Sequence, residues 1–229
     1  KADEASTTSV SPEFSPLYSR HSELQYLRQL GEQMSFVLES FLGRVRDLAM
    51  HSYGCRVLQR VLEHCSHDQS AKLLDELRDG ELKQLIEDQY ANYVVQHAIQ
   101  YGRLNDRNIL IACVRANLAS FSRHKFASNV VEKCLDFGTS MEKKQLVDEI
   151  VGSSSSGTSE DLAVGGCNLR LLITDAFANY VIQKVVDLAN DEQLSAIVNG
   201  LRPFVAQVKH TPGKHILAKL EKRIPGLKF

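Results

Sequence analysis

The chain has 229 residues, of which 43% are hydrophobic and 24% charged, as expected of a folded protein with a buried interior. Its formal net charge is −1, so the total charge predicts no polyanionic partner. The sequence contains no apolar run long enough to cross a bilayer and no signal-peptide pattern, and its five cysteines lack the spacing of a disulfide framework. We therefore expect a cytoplasmic protein without a membrane partner.

The first segments are predicted to lie outside any repeat. Residues 1–21 are rich in Ser, Thr and Pro, which is typical of a disordered tail or a cloning remnant. Ser22-x-x-Gln25 is a candidate capping box for a short helix that Gly31 would end, and a second helix is predicted from Gln33 to Leu42. Residues 22–42 are thus expected to be N-terminal capping helices.

A repeated pattern begins after residue 42. Its signature stretches start at Tyr53, Tyr90, Phe126, Phe177 and Pro212. Equivalent residues within them are separated by 37, 36, 51 and 35 positions, a period typical of a stacked helical solenoid. The predicted repeats are about 43–79, 80–115, 116–150 and 169–200, followed by a C-terminal cap at 201–224, and residues 152–168 are a flexible loop insertion that includes Ser153–Glu160.

Each repeat is predicted to contain a short lead helix, a signature helix and a third helix, with third helices over 70–77 and 107–116 in the first two repeats. Apolar residues at positions i, i+1, i+4 and i+5 of the signature helix indicate a buried stripe. The stripe residues are Val57, Leu58, Val61 and Leu62; Val94, Val95, Ala98 and Ile99; Val130, Val131, Cys134 and Leu135; and Val181, Ile182, Val185 and Val186. Small residues precede the stripe, which would let neighbouring backbones approach.

Polar residues vary on the other face of the signature helix. We call the three variable residues of a repeat its polar triplet: a first and a second polar residue four positions apart, with a platform residue between them. The triplets are Cys55, Arg56 and Gln59; Asn92, Tyr93 and Gln96; Ser128, Asn129 and Glu132; and Asn179, Tyr180 and Gln183. Flat side chains at a regular rise are typical of base-stacking platforms, and flanking hydrogen-bonding pairs can contact the edge of an unstacked base. Arg60, Lys133, Lys184 and Lys219 follow the triplets or their equivalent in the cap, and are candidate phosphate contacts or ordinary solvated cations.

These residues resemble the Pumilio-homology (PUF) family of RNA-binding repeats. The resemblance covers about residues 33–224 and includes Ser128-Asn-Val-Val-Glu-Lys133 and Gly213-Lys-His-Ile-Leu-Ala-Lys-Leu-Glu221. It implies an all-α, curved solenoid of three-helix repeats corresponding to the last four repeats and C-terminal cap of the usual eight-repeat crescent. Four repeats of the usual eight have no counterpart here, so the sequence is either a C-terminal fragment, which we favour, or a natively short chain whose exposed end is capped by residues 22–42. The resemblance also implies that RNA runs antiparallel along the concave face and that His215 provides a further stacking platform.

The family's recognition code can be transferred position by position. Asn with Gln implies uracil, Ser with Glu guanine, and Cys with Gln adenine, so the repeats from the C- to the N-terminus imply 5′-UGUA-3′. Independently, a carboxylate such as that of Glu132 can accept two adjacent donors from guanine. The resemblance further implies post-transcriptional repression or decay of mRNAs through 3′ untranslated regions, with repressor or deadenylase proteins on the convex face and the 152–168 loop.

Two other classes of function fit the sequence less well. A protein-binding scaffold of the HEAT or armadillo type fits the period but does not require a variable polar triplet on a uniform framework. An enzyme is not expected, because no phosphate-binding glycine loop or metalloprotease histidine pair is present. His64, Cys65 and His67 lie close together, but no second ligand pair follows at zinc-finger spacing, and no metal or cofactor is predicted.

One position suggests contacts between repeats. Imidazole and carboxylate alternate four residues before the first polar residue, at His51, Asp88, His124, Asp175 and His210. An acidic residue there is also a good cap for its own helix. The alternation predicts hydrogen bonds between neighbours across repeat boundaries, in addition to capping.

Overall fold

The computed structural model describes residues 33–152 and 169–229. The tail at 1–21, the helix expected after Ser22 and all but the first residue of the 152–168 insertion lie outside the described residues. The chain divides into two compact units, residues 1–41 and residues 42–229. In the described part of the first unit, residues 33–39 form a helix, which ends three residues before the predicted Leu42.

The second unit is built from helices throughout its described residues, and no strand occurs among them. The first two repeats contain α1 (Val45–Ala49), α2 (Gly54–His64), α3 (His67–Arg78), α4 (Leu82–Glu87), α5 (Ala91–Tyr101) and α6 (Leu104–Ala116). The next two contain α7 (Leu118–Ser122), α8 (Ala127–Phe137), α9 (Ser140–Val151), α10 (Leu169–Thr174), α11 (Ala178–Leu188) and α12 (Asp191–Leu201). The cap contains a 3₁₀ turn (Arg202–Phe204), α13 (Val205–Val208) and α14 (Lys214–Arg223). No helix in 33–152 or 169–229 has the length and apolar content needed to cross a bilayer.

The third helices of the first two repeats begin three residues earlier than predicted. At α3, Ser66 is the N-cap: its Oγ accepts from the amide of Gln69 at 3.3 Å, and Gln69 Oε1 accepts from the amide of Ser66 at 3.1 Å. This reciprocal box satisfies two otherwise unpaired donors and fixes the start of the helix at His67. Equivalent boxes at Thr139 and Asn190 start α9 and α12.

The signature helices α2, α5, α8, α11 and α14 pack one on the next, which confirms the all-α solenoid. Their stripe residues are at most 6% exposed, with a single exception. Val57 was predicted to be buried but is 48% exposed. The prediction was wrong there because Val57 belongs to the first repeat, whose signature helix has no earlier signature helix beside it among the described residues. Equivalents such as Val94 lie between two repeats.

Close backbone approach explains a glycine at the start of the cap's signature segment. A Cβ on Gly213 would lie 2.7 Å from Val208 Cγ1, 2.8 Å from Ile173 Cγ2 and 2.9 Å from the Ile173 carbonyl oxygen. Because one of these atoms is backbone, an added methyl group can be accommodated only by moving the chain.

Gly213→Ala is therefore expected to lower the free energy of unfolding by about 1–3 kcal/mol, the usual cost of overpacking. Urea unfolding followed by circular dichroism measures this. The matched control is Gly200→Ala in α12, where the nearest atom to the new Cβ would be Leu169 Cδ2 at 3.5 Å. That change should instead stabilise by about 0.4–1 kcal/mol through helix propensity. Equal effects of the two substitutions would contradict the packing argument.

Charged side chains join the third helices of repeats 1 and 2. Asp106 is fully buried and accepts from Arg103 Nε at 2.7 Å, while Arg78 Nε lies 3.1 Å away. Arg103 also contacts Asp75 at 2.6 Å. A buried carboxylate needs such partners, so this cluster fixes the position of α6 against α3.

Candidate nucleic-acid interface

The two polar residues of each triplet lie at different depths. The first polar residues Cys55, Asn92, Ser128 and Asn179 are at most 4% exposed. The second polar residues Gln59, Gln96, Glu132 and Gln183 are only partly buried. The sequence predicted that both would project from the same polar face. In the structure the first residue forms the wall behind the surface, and the second reaches the surface.

In repeats 2 and 4 the buried asparagine orients the glutamine. Asn92 Nδ2 donates to the Asp88 carbonyl at 2.8 Å, so its Oδ1 faces outward and accepts from Gln96 Nε2 at 3.0 Å. Asn179 donates in the same way to the Asp175 carbonyl at 3.1 Å, and accepts from Gln183 Nε2 at 3.1 Å. Among the residues that the structure describes, nothing else bonds the carbonyl oxygen or the second amide hydrogen of either glutamine, so both are left for a ligand.

Repeat 3 has a carboxylate at this place. Ser128 Oγ lies 3.5 Å from the Lys125 carbonyl oxygen, and within 33–152 and 169–229 no hydrogen bond reaches the carboxylate of Glu132. Burial raises the pKa of Glu132, the positive charge of Lys184 lowers it, and the negative charge of Asp136 raises it; the net shift is upward. The site therefore has a half-buried carboxylate with unfilled acceptor positions.

Repeat 1 presents a thiol with a glutamine. Cys55 Sγ lies 3.5 Å from the Ser52 carbonyl oxygen, and burial raises the pKa of the thiol, which is therefore neutral at physiological pH. Gln59, one turn further on, is partly buried.

The platform residues are exposed, as stacking requires. Tyr93 is 49% and Tyr180 59% exposed, although both are large and apolar enough to be buried. Arg56, Asn129 and His215 are exposed as well.

An open cleft of about 650 Å³ adjoins the last triplet. Its wall includes Asn179 and Tyr180 from α11 and His215 from α14. The other lining residues are Ala176, Lys209, His210, Thr211, Pro212 and Lys214. The cleft combines two platform residues with cationic side chains, an arrangement suited to an anionic ligand with a flat ring.

The four candidate phosphate contacts all have partners within the protein. Lys133 Nζ donates to Gln100 Oε1 at 2.9 Å, and Lys184 Nζ lies 2.6 Å from Asp136 Oδ2. Lys219 pairs with Asp187, and Arg60 pairs with Glu63 three residues further along its own helix. The three lysines each connect their signature helix to the preceding one. We call these three pairs the lysine ladder; nothing in the sequence pattern predicted it.

The histidines and aspartates before the triplets cap their own helices. Asp88 Oδ1 accepts from the amides of Tyr90 and Ala91 at 2.8 and 2.7 Å, and Asp175 repeats this geometry. His51 and His124 accept through Nδ1 at 3.2–3.3 Å. In the cap, Thr211 Oγ1 accepts from Gly213 at 3.2 Å in place of His210.

The predicted ladder through His51, Asp88, His124, Asp175 and His210 was wrong as a set of direct hydrogen bonds. Among the described residues no bond joins two of these side chains. Asp175 instead accepts from Arg123 Nε at 3.2 Å across the repeat boundary. Nearby backbone amides are available without ordering a distant partner, so local capping prevails.

A uniform buried framework carries one variable polar triplet per repeat, whose second polar residue and platform residue reach the surface. This defines an α-solenoid that presents one variable surface unit per repeat. The chain matches the Pumilio-family RNA binding repeat (PUF) over residues 44–78, 83–114, 117–151 and 168–201. It belongs to the Pumilio (PUF) family.

Relatives and solved structures agree with this assignment. The Pumilio domain-containing protein C6G9.14 of Schizosaccharomyces pombe is 31% identical over 86% of this chain and 27% of its own length. The Puf3 RNA binding domain bound to a Cox17 RNA 3′ UTR recognition sequence is 35% identical with a TM-score of 0.70, over 83% of this chain and 56% of that one. PUF-8 in complex with PBE-RNA is 34% identical with a TM-score of 0.68, over 82% and 53%. The chain thus spans about a quarter of the first relative and just over half of each solved domain.

Proposed function

We propose that this repeat unit binds single-stranded RNA with the core sequence 5′-UGUA-3′, one base per triplet. The observation that supports it most is the alternation of side-chain groups with unused hydrogen-bonding capacity along the stack. These groups are glutamine amides in repeats 2 and 4 and the carboxylate of Glu132 in repeat 3 between them. The related Puf3 domain is solved with a 3′ UTR sequence. By extension we propose that the protein acts on mRNA 3′ untranslated regions in the cytoplasm, in repression or decay, together with protein partners.

Uracil fits the glutamines of repeats 2 and 4. Its edge alternates acceptor, donor and acceptor. Gln183 can accept the uracil N3–H through Oε1 and donate its second amide hydrogen to a neighbouring oxygen. The role proposed for Asn179 is to hold that amide in the correct orientation, because its own amide hydrogens already donate to the carbonyls of Asp175 and Ala176.

Guanine fits Glu132. It offers N1–H and an amino hydrogen side by side, and a carboxylate accepts both in a charge-assisted, bidentate arrangement. Uracil at this place would bring a carbonyl oxygen against the carboxylate. A carboxylate near a polyanion is otherwise unfavourable, so its presence is best explained by a ligand with two donors.

Binding of short fluorescent RNAs tests the proposal. The RNA with a UGUA core is compared with RNAs in which the G is replaced by U or by A, at a fixed salt concentration. Four stacked bases contribute about 1–3 kcal/mol each before the RNA is ordered, so titrations must extend to high protein concentration. UGUA should bind best. Equal binding of all three RNAs would contradict base recognition and favour a protein-binding scaffold.

The preference for guanine should weaken in acid. Burial raises the pKa of Glu132, so protonation begins at a higher pH than for an exposed glutamate. Only the ionised carboxylate accepts two donors, whereas the protonated form has one donor and one acceptor, like glutamine. Lowering the pH from about 7.5 to 5 should therefore reduce the ratio of UGUA to UUUA affinity, approaching tenfold per pH unit below the pKa. Glu132→Gln should abolish this dependence; a ratio constant with pH in the unmodified protein would contradict it.

A further inference from the structure

We propose that Lys184, which pairs with Asp136, favours the ionised form of Glu132 and so sets how strongly the third repeat prefers guanine. This inference rests on the proposed function, since it assigns a positioning role beside the guanine contact. Lys184 belongs to the next repeat, so base preference in repeat 3 would depend on a residue outside it.

The geometry places Asp136, and Lys184 bonded to it, on the same face of α8 as Glu132. Asp136 follows Glu132 by one helical turn on α8, so the two side chains lie on the same face. Lys184 follows Gln183 on α11, and its Nζ lies 2.7 and 2.6 Å from the two oxygens of Asp136. The lysine side chain is 28% exposed, so water screens its charge only in part.

The two charges act on Glu132 in opposite directions. Burial is the largest influence and raises the pKa; Lys184 then lowers it and Asp136 raises it. Lys143 of α9 donates to the Asp136 carbonyl at 2.6 Å, and four further side chains of α8, α5 and the turn before α8 have contacts of their own. Lys133 is bonded to Gln100, Arg123 to Asp175, and His97 Nδ1 to the Tyr93 carbonyl, while Lys125 lies over the Phe126 ring.

The other members of the lysine ladder show what is particular to this boundary. Lys219 pairs with Asp187 beside Gln183, and Lys133 pairs with Gln100 beside Gln96. Glutamine does not ionise, so these pairs can affect only how the repeats stack. At the boundary of repeats 3 and 4 the same kind of pair lies one turn from Glu132, an ionisable residue that we propose contacts guanine. Only this pair of the lysine ladder can therefore affect specificity.

The consequence concerns competition between bases. An RNA phosphate backbone near Glu132 favours its protonated form, which resembles glutamine and accepts uracil. The lysine charge opposes that shift. Guanine preference at neutral pH therefore depends on Lys184 even if it touches neither base nor phosphate.

The test measures the pH midpoint of the ratio of UGUA to UUUA affinity in the complete chain. Lys184→Gln removes the favourable charge and should move the midpoint to higher pH, lowering the ratio at a fixed mildly acidic pH several-fold. Asp136→Asn removes the unfavourable charge but keeps an amide oxygen that can accept from Lys184, so it should move the midpoint to lower pH. In the double variant burial is the one remaining influence of the three on the pKa of Glu132, so its midpoint should lie between those of the two single variants. Asp187→Asn is the matched control: it breaks the equivalent pair beside Gln183 and should leave the midpoint unchanged.

Opposite shifts separate electrostatics from structure. A purely structural role predicts that both single variants lower stability and leave the midpoint unchanged, which would overturn the inference. If Lys184 acts only by contacting a phosphate, Lys184→Gln would lower the affinity for both RNAs equally and leave their ratio and the midpoint unchanged. That result would also overturn the inference. If the unmodified protein shows no preference for UGUA over UUUA, the proposed function itself fails, and that result is distinguishable from either of these.

Discussion

Changing Ser128, Asn129 and Glu132 to Asn, Tyr and Gln is expected to convert the preferred core from UGUA to UUUA. The new triplet reproduces the one at Asn92, Tyr93 and Gln96. The carboxylate that we propose accepts two guanine donors is replaced by an amide that offers one acceptor and one donor to uracil. By analogy with well-paired base contacts, discrimination of about 1–3 kcal/mol for guanine should be lost and a similar preference for uracil gained.

The structure shows what the swap needs in order to fold. Ser128 is 4% exposed, so its replacement is not a surface change. In repeats 2 and 4 the asparagine fits because its amide donates to the carbonyl four residues earlier. In repeat 3 that carbonyl belongs to His124. The ring nitrogen of His124 accepts from the backbone amide of Ala127, so this residue caps its helix as Asp88 and Asp175 do in the neighbouring repeats. Asparagine should therefore find an equivalent partner and cause little loss of stability.

Binding of the triple variant to UGUA and UUUA is measured beside thermal unfolding of the same preparation. The single change Asn129→Tyr is the control, since it adds a platform without altering the hydrogen-bonding pair. It should raise the affinity for both RNAs and leave the preference for guanine unchanged. A triple variant that is folded and still prefers guanine would show that these residues do not contact that base.

The repeat architecture could be predicted because it depends on local patterns. A stripe such as Val181, Ile182 and Val185 recurs at helical spacing, and its burial follows from periodicity alone. Val57 occupies the same position in the pattern but is exposed, because burial also depends on whether another repeat lies beside the residue. Periodicity describes a helix face but not what covers that face.

Contacts between repeats could not be predicted from the sequence. Lys184 and Asp136 are 48 positions apart, and each resembles an ordinary solvated residue in its own helix. The alternation of histidine and aspartate that begins at His51 and Asp88 was the more regular signal, but the hydrogen bonds it predicted between these side chains do not form. Regular spacing shows that a position matters in every repeat, but not whether its partner is the local backbone or the next repeat.

The deepest aromatic side chain of repeat 3 links the stability of the repeat to its proposed base contact. Phe121 is fully buried in α7, the five-residue lead helix that packs on α8. So short a helix has little stability of its own and depends on this burial. Since α8 carries Ser128 and Glu132, the lead helix supports the proposed guanine contact.

Phe121→Ala is expected to lower the free energy of unfolding by about 3–5 kcal/mol, a large part of the total for a domain of this size. Repeats of a solenoid are stabilised mainly by their neighbours, so loss of repeat 3 separates repeats 1 and 2 from repeat 4 and the cap. Urea unfolding should show a lower midpoint and a broader transition. The control Met141→Ala removes a side chain that is 70% exposed and should change stability by no more than about 0.5 kcal/mol. A Phe121→Ala protein as stable as that control would contradict the packing described for α7. Where the variant is still partly folded, its affinity for UGUA should fall in proportion to the folded fraction while its preference for guanine is retained, because the triplet itself is unchanged.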